Sequence, residues 1–188
     1  MSTVIFDTSM SLDGYLAAAG RTADEPLGPG GEQLHAWTSD TAYLDRAVAD
    51  LGAVIAGRVT YDTSLPGWGT DGPSGDARRP VFVVTHQAPP SSPEGGVYRF
   101  VTDGIESALR QARTAAGDKI VCVMGGADLG RQYIAAGLVD ELSIHLVPVL
   151  FGSGTPMFEG LNLGHVALEL TDTAQTDGTL HLRYRIGR

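Results

Sequence analysis

Three short runs in this chain end an apolar stretch and carry groups suited to gripping an anion: Gly57-Arg58-Val59-Thr60, Thr85-His86 and Gly125-Gly126. The third is the most informative. The apolar run Lys119 to Met124 (KIVCVM) stops at the paired glycines and passes at once into the helix-like segment ADLGRQYIAAG. Glycine admits a ligand close to the main chain, and the first N–H groups of a helix lack intrahelical partners and favour negative charge. A phosphate can be held this way without a cation. Gly57 allows the same approach, Arg58 offers a planar fork, and Thr60 offers a hydroxyl and an N–H. Thr85 and His86 can add donors to the same anion. Each run alone is equally well explained as a helix cap or a solvated charge. Three of them on one sheet edge point to the phosphates of a nucleotide.

Other residues are candidates for chemistry on a substrate. Asp13, in the turn Ser11-Leu12-Asp13-Gly14, can orient a substrate or help relay a proton, or simply bond nearby N–H groups. Glu32 can serve as a pocket acid or, early in a helix, favour the dipole. Trp37 and Trp68 can wall a flat ligand or fill a core. His35 reads as a partly buried helix residue, Asp140-Glu141 as a turn ending, and Cys122 as an inert buried thiol. Several signatures are missing. There is no GxxxxGK[ST] and no GxGxxG, so neither a P-loop nor an ordinary Rossmann site is expected. The five histidines are scattered, without HExxH or a cysteine pair for a metal. The deaminase PCxxC is absent, and a Ser-His-Asp triad lacks its GxSxG elbow.

The elements that must position these residues follow from hydrophobic spacing. Strands are expected at Thr3–Ser9, Ala53–Gly57, Val81–Thr85, Lys119–Met124, Val139–Val149, Val166–Thr171 and Thr179–Ile186, with a hairpin turn at Asp177-Gly178. Residues 18–31 read as a surface loop and 31–38 as a short helix. Ser39 or Asp40 caps the next, with Leu44, Ala47, Val48 and Leu51 at helical spacing. Further helices are expected from Arg58, and from an Asp103/Glu106 capping box through Ala116. Helices between the early strands require parallel pairing there, and the late strands add antiparallel edges. The expected architecture is a three-layer α/β sandwich with a mixed, mostly parallel sheet and helices on both faces.

Whole-chain properties agree with one domain over residues 1–188: 43% hydrophobic residues and a net charge of −9. The acidic balance argues against nucleic acid or an anionic membrane as partner. The start, MSTVIFDTS, lacks a signal-peptide pattern, and a lone cysteine forms no internal disulfide, so a cytoplasmic location is expected.

Taken together, the landmarks Ser11-Leu12-Asp13-Gly14-Tyr15-Leu16-Ala17, Gly57-Arg58-Val59-Thr60-Tyr61-Asp62, Val83-Val84-Thr85-His86 and the run from Gly125-Gly126 through Gly137-Leu138-Val139-Asp140-Glu141 to Pro148-Val149-Leu150-Phe151-Gly152 resemble the dihydrofolate reductase-like superfamily. The likeness is greatest to its branch related to the C-terminal reductase domain of bacterial riboflavin biosynthesis, and it spans nearly the whole chain. The resemblance implies NADPH as hydride donor. Gly57, Arg58 and Thr60 would hold the adenosine 2′-phosphate and the pyrophosphate, with Thr85 and His86 beside the adenine ribose. Gly125, Gly126 and the N–H groups of Ala127, Asp128 and Leu129 would meet the pyrophosphate. The loop from Ser11 to Ala17 would cover the nicotinamide. A homodimer is also implied, with His145 to Val149 apolar enough to take part. The substrate stays open between pterin-like and pyrimidine-like heterocycles: Pro29 to Trp37 departs from the folate-binding pattern, Tyr15 stands where riboflavin-pathway reductases carry a basic residue, and no deaminase half accompanies these 188 residues. A ligand-binding protein that keeps the fold without turnover is the alternative.

Overall fold

The computed structural model describes residues 2–187. Its eight-stranded sheet has the order β5-β4-β3-β6-β1-β7-β10-β9. The strands β1 (Val4–Ser11), β3 (Leu51–Gly57), β4 (Val81–Val84), β5 (Tyr98–Val101), β6 (Ile120–Met124) and β7 (Glu141–Val147) run parallel. Helices on both faces explain why β3 and β4 are almost continuous apolar runs, buried on each side. β10 (Thr179–Ile186) pairs antiparallel with β7 and with β9 (Leu168–Thr176). The β9–β10 turn has Asp177 at φ 43° and Gly178 at φ 80°, the doubly left-handed geometry that a two-residue hairpin requires.

Among the described residues, four α-helices cover the sheet: α1 (Thr41–Ala49), α2 (Arg58–Trp68), α3 (Ile105–Ala116) and α4 (Ala127–Ala135). Asp40 caps α1 by accepting from the Tyr43 N–H at 2.9 Å. One face of the sheet packs Phe6, Ile55, Phe82 and Val123 against Leu109 and Ala112 of α3 and Leu129 and Tyr133 of α4. The other face packs Val54, Val83 and Cys122 under Tyr61 of α2. Further along it, Leu34 and Trp37 of the 3-10 segment Gly31–Ser39 close over Val147. α4 presses so tightly on β1 that a Cβ at Gly130 would stand 2.4 Å from the Phe6 ring. Truncating a buried phenylalanine such as Phe6 to alanine costs about 3–5 kcal/mol.

The architecture is as expected, and several details differ. α3 is capped at Gly104, whose φ is 98°, with no side-chain cap bond; Asp103 lies outside the capping position, so the anticipated box does not form. The edge strand β5 is an addition to the expected elements: at four residues, Tyr98-Arg99-Phe100-Val101 is too short for its alternation to stand out. The short ladder of β2 (Tyr15–Ala18) with β8 (Gly154–Pro156) is too brief to leave a period. β9 runs to Thr176, beyond the expected Thr171. The segment His145 to Val149 is unsuited to a dimer contact at the sheet edge: β7 lies between β1 and β10, and His145 and Val147 are buried. The free edges are β5 and β9, and β9 exposes Leu168 and Leu170. Among the described residues, no helix is long and apolar enough to cross a membrane.

Candidate active site

Parallel pairing brings the carboxyl ends of β1, β3, β4 and β6 to one edge. Register sets them side by side, with Gly57 opposite Val84, Ala56 opposite Met124, and Asp7 opposite Met124. A crevice of about 1600 Å³ opens there, where ligands bind in open α/β sheets. It is lined by every residue assigned above to a cofactor: Ala17, Gly57, Arg58, Thr60, Thr85, His86 and the run Gly125 to Leu129.

The floor is built by contact between α2 and the β6–α4 turn. Gly125 has φ 86°, and a Cβ on it would lie 2.6 Å from Thr60 Cγ2 and 2.7 Å from Thr60 Oγ1, so only glycine fits. The Gly126 N–H donates to Thr60 Oγ1 at 3.2 Å. No side chain caps α4, and its opening N–H groups at Ala127 to Leu129 lie in the crevice wall. Arg58 Nε donates to both Asp62 carboxylate oxygens at 2.8 Å, and Nη1 donates to the Gln87 carbonyl at 3.0 Å. This bracing holds the guanidinium across the α2 and β4 ends. The Thr85 hydroxyl also donates to Gln87 O, at 2.8 Å. His86 completes that rim.

The two expected acids are elsewhere. Asp13 is tied into loop architecture. It accepts from Ser11 Oγ at 2.6 Å, from the Gly152 N–H at 2.7 Å and from the Phe151 N–H at 3.1 Å. The Ser11 bond, followed by those backbone donors, outweighs desolvation and holds its carboxyl below the usual range. It pins the β1–β2 turn to the loop before β8 and is not among the crevice-lining residues. Glu32 is exposed on the 3-10 segment and likewise lies outside the lining. Trp37 and Trp68 both reach the wall. Trp37 serves core and wall together, buried with its Nε1 donating to Ser9 Oγ at 2.9 Å. Trp68 packs at the margin of the α2 core. His35 is exposed beside Trp37 at the rim.

Two acids line the crevice: Asp128 of α4, paired with Arg131 at 2.6 Å, and Asp7, on β1. Asp7 Oδ2 lies 3.1 Å from His145 Nε2; His145 Nδ1 is 2.7 Å from His181 Nδ1, and His181 Nε2 is 2.6 Å from Thr176 Oγ1. Burial pushes the Asp7 carboxyl up, but His145, Ser143 and Arg183 together outweigh it and leave it below its ordinary value. Positions 7, 145 and 181 share no sequence spacing. Each sits in a strand that carries other polar residues as well, so nothing local marks these positions. Among the described residues, no cluster of three or more acidic, histidine or cysteine side chains could hold a metal.

The chain as a whole has relatives among known proteins. A family model described as the RibD C-terminal domain matches residues 2–182. The chain belongs to that family. Its fold is the dihydrofolate reductase-like reductase fold. The uncharacterized protein YwjB of Bacillus subtilis (strain 168) is 25% identical over 187 residues, covering 97% of this chain and 96% of its own. A putative riboflavin biosynthesis protein from Shewanella sp. PV-4 superposes with TM-score 0.71 at 23% identity, over 100% of both chains. Dihydrofolate reductase from Enterococcus faecalis, complexed with NADP(H), gives 0.63 at 16% identity over 99% of this chain and 97% of its own. The deaminase/5-amino-6-(5-phosphoribosylamino)uracil reductase of Thermotoga maritima gives 0.67 at 15% identity; 98% of this chain covers 56% of that one. At these identities the structural likenesses establish the fold.

The crevice fits a dinucleotide cofactor on its own terms. The open N–H groups at the start of α4 suit a pyrophosphate, and the close approach at Gly125 leaves main chain accessible. Arg58 suits a further phosphate.

Proposed function

We propose that the protein is an NADPH-dependent reductase acting on a small, flat heterocycle of pterin or pyrimidine type. The observation that carries this reading is the convergence of Thr60, Gly125-Gly126 and the α4 N-terminus in one crevice at the strand ends. Gly125, Gly126 and the N–H groups of Ala127, Asp128 and Leu129 would hold the pyrophosphate. Gly57, Arg58 and Thr60 would hold the 2′-phosphate side, with Thr85 and His86 at the ribose. Bound there, NADPH supplies a hydride. Ala17 would cover the reacting ring, and Trp37 and Trp68 would flank the substrate, fixing its distance and excluding water. Two copies would pair through the β9 edge, whose exposed Leu168 and Leu170 support that arrangement.

Titration calorimetry with NADPH tests the cofactor reading. Micromolar affinity is expected, and a dissociation constant above the millimolar range would overturn it. NADPH oxidation is then followed with dihydropterins, aminopyrimidines and quinones as acceptors. The exposed position of Glu32, away from the crevice, favours a second reading as a ligand-binding protein without turnover. That reading expects thermal stabilisation by such compounds with no oxidation of NADPH.

A further inference from the structure

The row Ser9–His145–His181–Ala174 runs straight across β1, β7, β10 and β9, and the neighbouring row is Asp7–Ser143–Arg183–Asp172. Both lie on the sheet face covered by the 3-10 segment and α1. The Trp37 ring lies 4.0 Å from the His145 ring, and the Tyr43 ring stacks on His181 at 4.0 Å. His145 and His181 are 3% and 4% exposed, whereas the Asp7 side chain keeps 25% of its surface open. The chain of contacts is therefore closed at the histidines and open at the carboxylate.

For a neutral His145, valence gives one arrangement of hydrogens. An ionised carboxylate only accepts, so His145 Nε2 carries a hydrogen and donates to Asp7. A neutral His145 then has a bare Nδ1, and the contact between ring nitrogens needs one hydrogen, which sits on His181 Nδ1. The bare His181 Nε2 accepts from the Thr176 hydroxyl. Every donor meets one acceptor, and all three bonds point toward the crevice. Burial, and then the neighbouring His145, pull the His181 imidazole down to about 4, which keeps it neutral near pH 7. The charged or titratable groups around the chain are Arg183, which pairs with Glu141 at 3.5 Å, together with Asp172, Asp40, His35, Tyr43 and Arg46.

We propose that Asp7 is the catalytic residue that exchanges a proton with the substrate, and that His145, His181 and Thr176 are positioning residues that hold its carboxylate at the crevice wall. The assignment rests on the reductase reading. NADPH held in the crevice would supply a hydride, forming a C–H bond at the carbon of a C=N group. The nitrogen keeps the former π electron pair and bonds to a proton from the Asp7 carboxyl, which had taken that proton from solvent. The cofactor would be left oxidised and Asp7 a carboxylate, which the directed hydrogen bonds stabilise as it forms. An acid held below its ordinary value is protonated in a small fraction of molecules near neutrality. Turnover should therefore rise about tenfold for each pH unit of acidification between pH 8 and 6.

The test uses the full chain labelled with ¹⁵N-histidine and ¹³C-aspartate, and two variants, D7N and T176V. NMR of the wild type should show hydrogen on His145 Nε2 and on His181 Nδ1, with the Asp7 carboxyl titrating below its ordinary value. T176V, at the far end of the chain, should raise that carboxyl midpoint by about half a pH unit or more and redistribute the His181 tautomers. The opposite tautomers, or an Asp7 midpoint unchanged in T176V, would overturn the positioning chain. D7N, close to isosteric, should bind NADPH within about twofold of wild type. It should also lose at least about a hundredfold in kcat on any acceptor that the wild type reduces, together with the pH slope. Turnover in D7N within threefold of wild type would overturn the role of Asp7. Failure of the wild type to bind NADPH, with the expected tautomers intact, would remove the reductase reading and the proton step with it, and leave the positioning chain standing.

Discussion

Replacing Gly125 by alanine probes the contact on which the candidate cofactor site is built. Two costs add. At φ 86° an L-residue pays a left-handed backbone penalty of about 1–2 kcal/mol. The new Cβ would also stand 2.6 Å from Thr60 Cγ2 and 2.7 Å from its Oγ1, where ordinary contact begins at 3.4 Å. Displacing a packed neighbour by that much costs about 1–3 kcal/mol. The expected destabilisation is about 2–5 kcal/mol, or roughly 4–20 °C in Tm for a chain of this size. Urea unfolding followed by tryptophan fluorescence measures it, and calorimetry with NADPH should show at least about tenfold weaker binding, because the turn carrying the Gly126 N–H must move. Thr60→Ala separates the two costs. By itself it removes the acceptor of the Gly126 N–H, for about 0.5–1.5 kcal/mol. In the double variant it removes both clashing atoms, so the pair should be less destabilised than the sum of the singles by about 1–2 kcal/mol. Additivity within about 0.5 kcal/mol would refute the argument that Thr60 packs against this turn.

Arg58→Ala should weaken NADPH at least about tenfold and NADH little, since only the former carries the 2′-phosphate; equal losses in calorimetry would mean that the arginine serves only its bonds to Asp62 and Gln87. Acid should destabilise the fold through His181: the unfolded imidazole takes up a proton near 6.5 and the folded one only near 4, so the unfolded chain holds the extra proton between those values. Tm should fall as pH drops from 7 to 4, and less steeply in His181→Gln; parallel curves would contradict this. Asp13→Ala should speed amide exchange at Phe151 and Gly152, whose N–H groups it accepts, while leaving NADPH affinity within about twofold; a large loss of turnover without faster exchange would return Asp13 to catalysis. Leu170→Lys on the exposed β9 edge should shift a sedimenting dimer to monomer without altering Tm by more than a few degrees.

The parts of this protein that were legible in the sequence are those encoded by neighbouring residues. A strand ending in Gly125-Gly126 before a helix, Arg58 and Thr60 at a helix start, and the Asp177-Gly178 hairpin are local events, each governed by backbone sterics within a few positions. Helices between successive strands also imposed parallel order, so their carboxyl ends had to meet on one edge. Tertiary structure alone decided that Asp7, and not Asp13, faces that edge. Asp13 had the right type and a suggestive turn, but the approach of Phe151 and Gly152 claimed its oxygens. Asp7 looked like an ordinary strand residue until cross-strand register set it beside His145 and His181, 138 and 36 positions apart along successive contacts. Side-chain direction alternates with every residue in a strand, so a slip of one position in β7 or β10 would turn these groups to the opposite face. That register is a property of the assembled sheet.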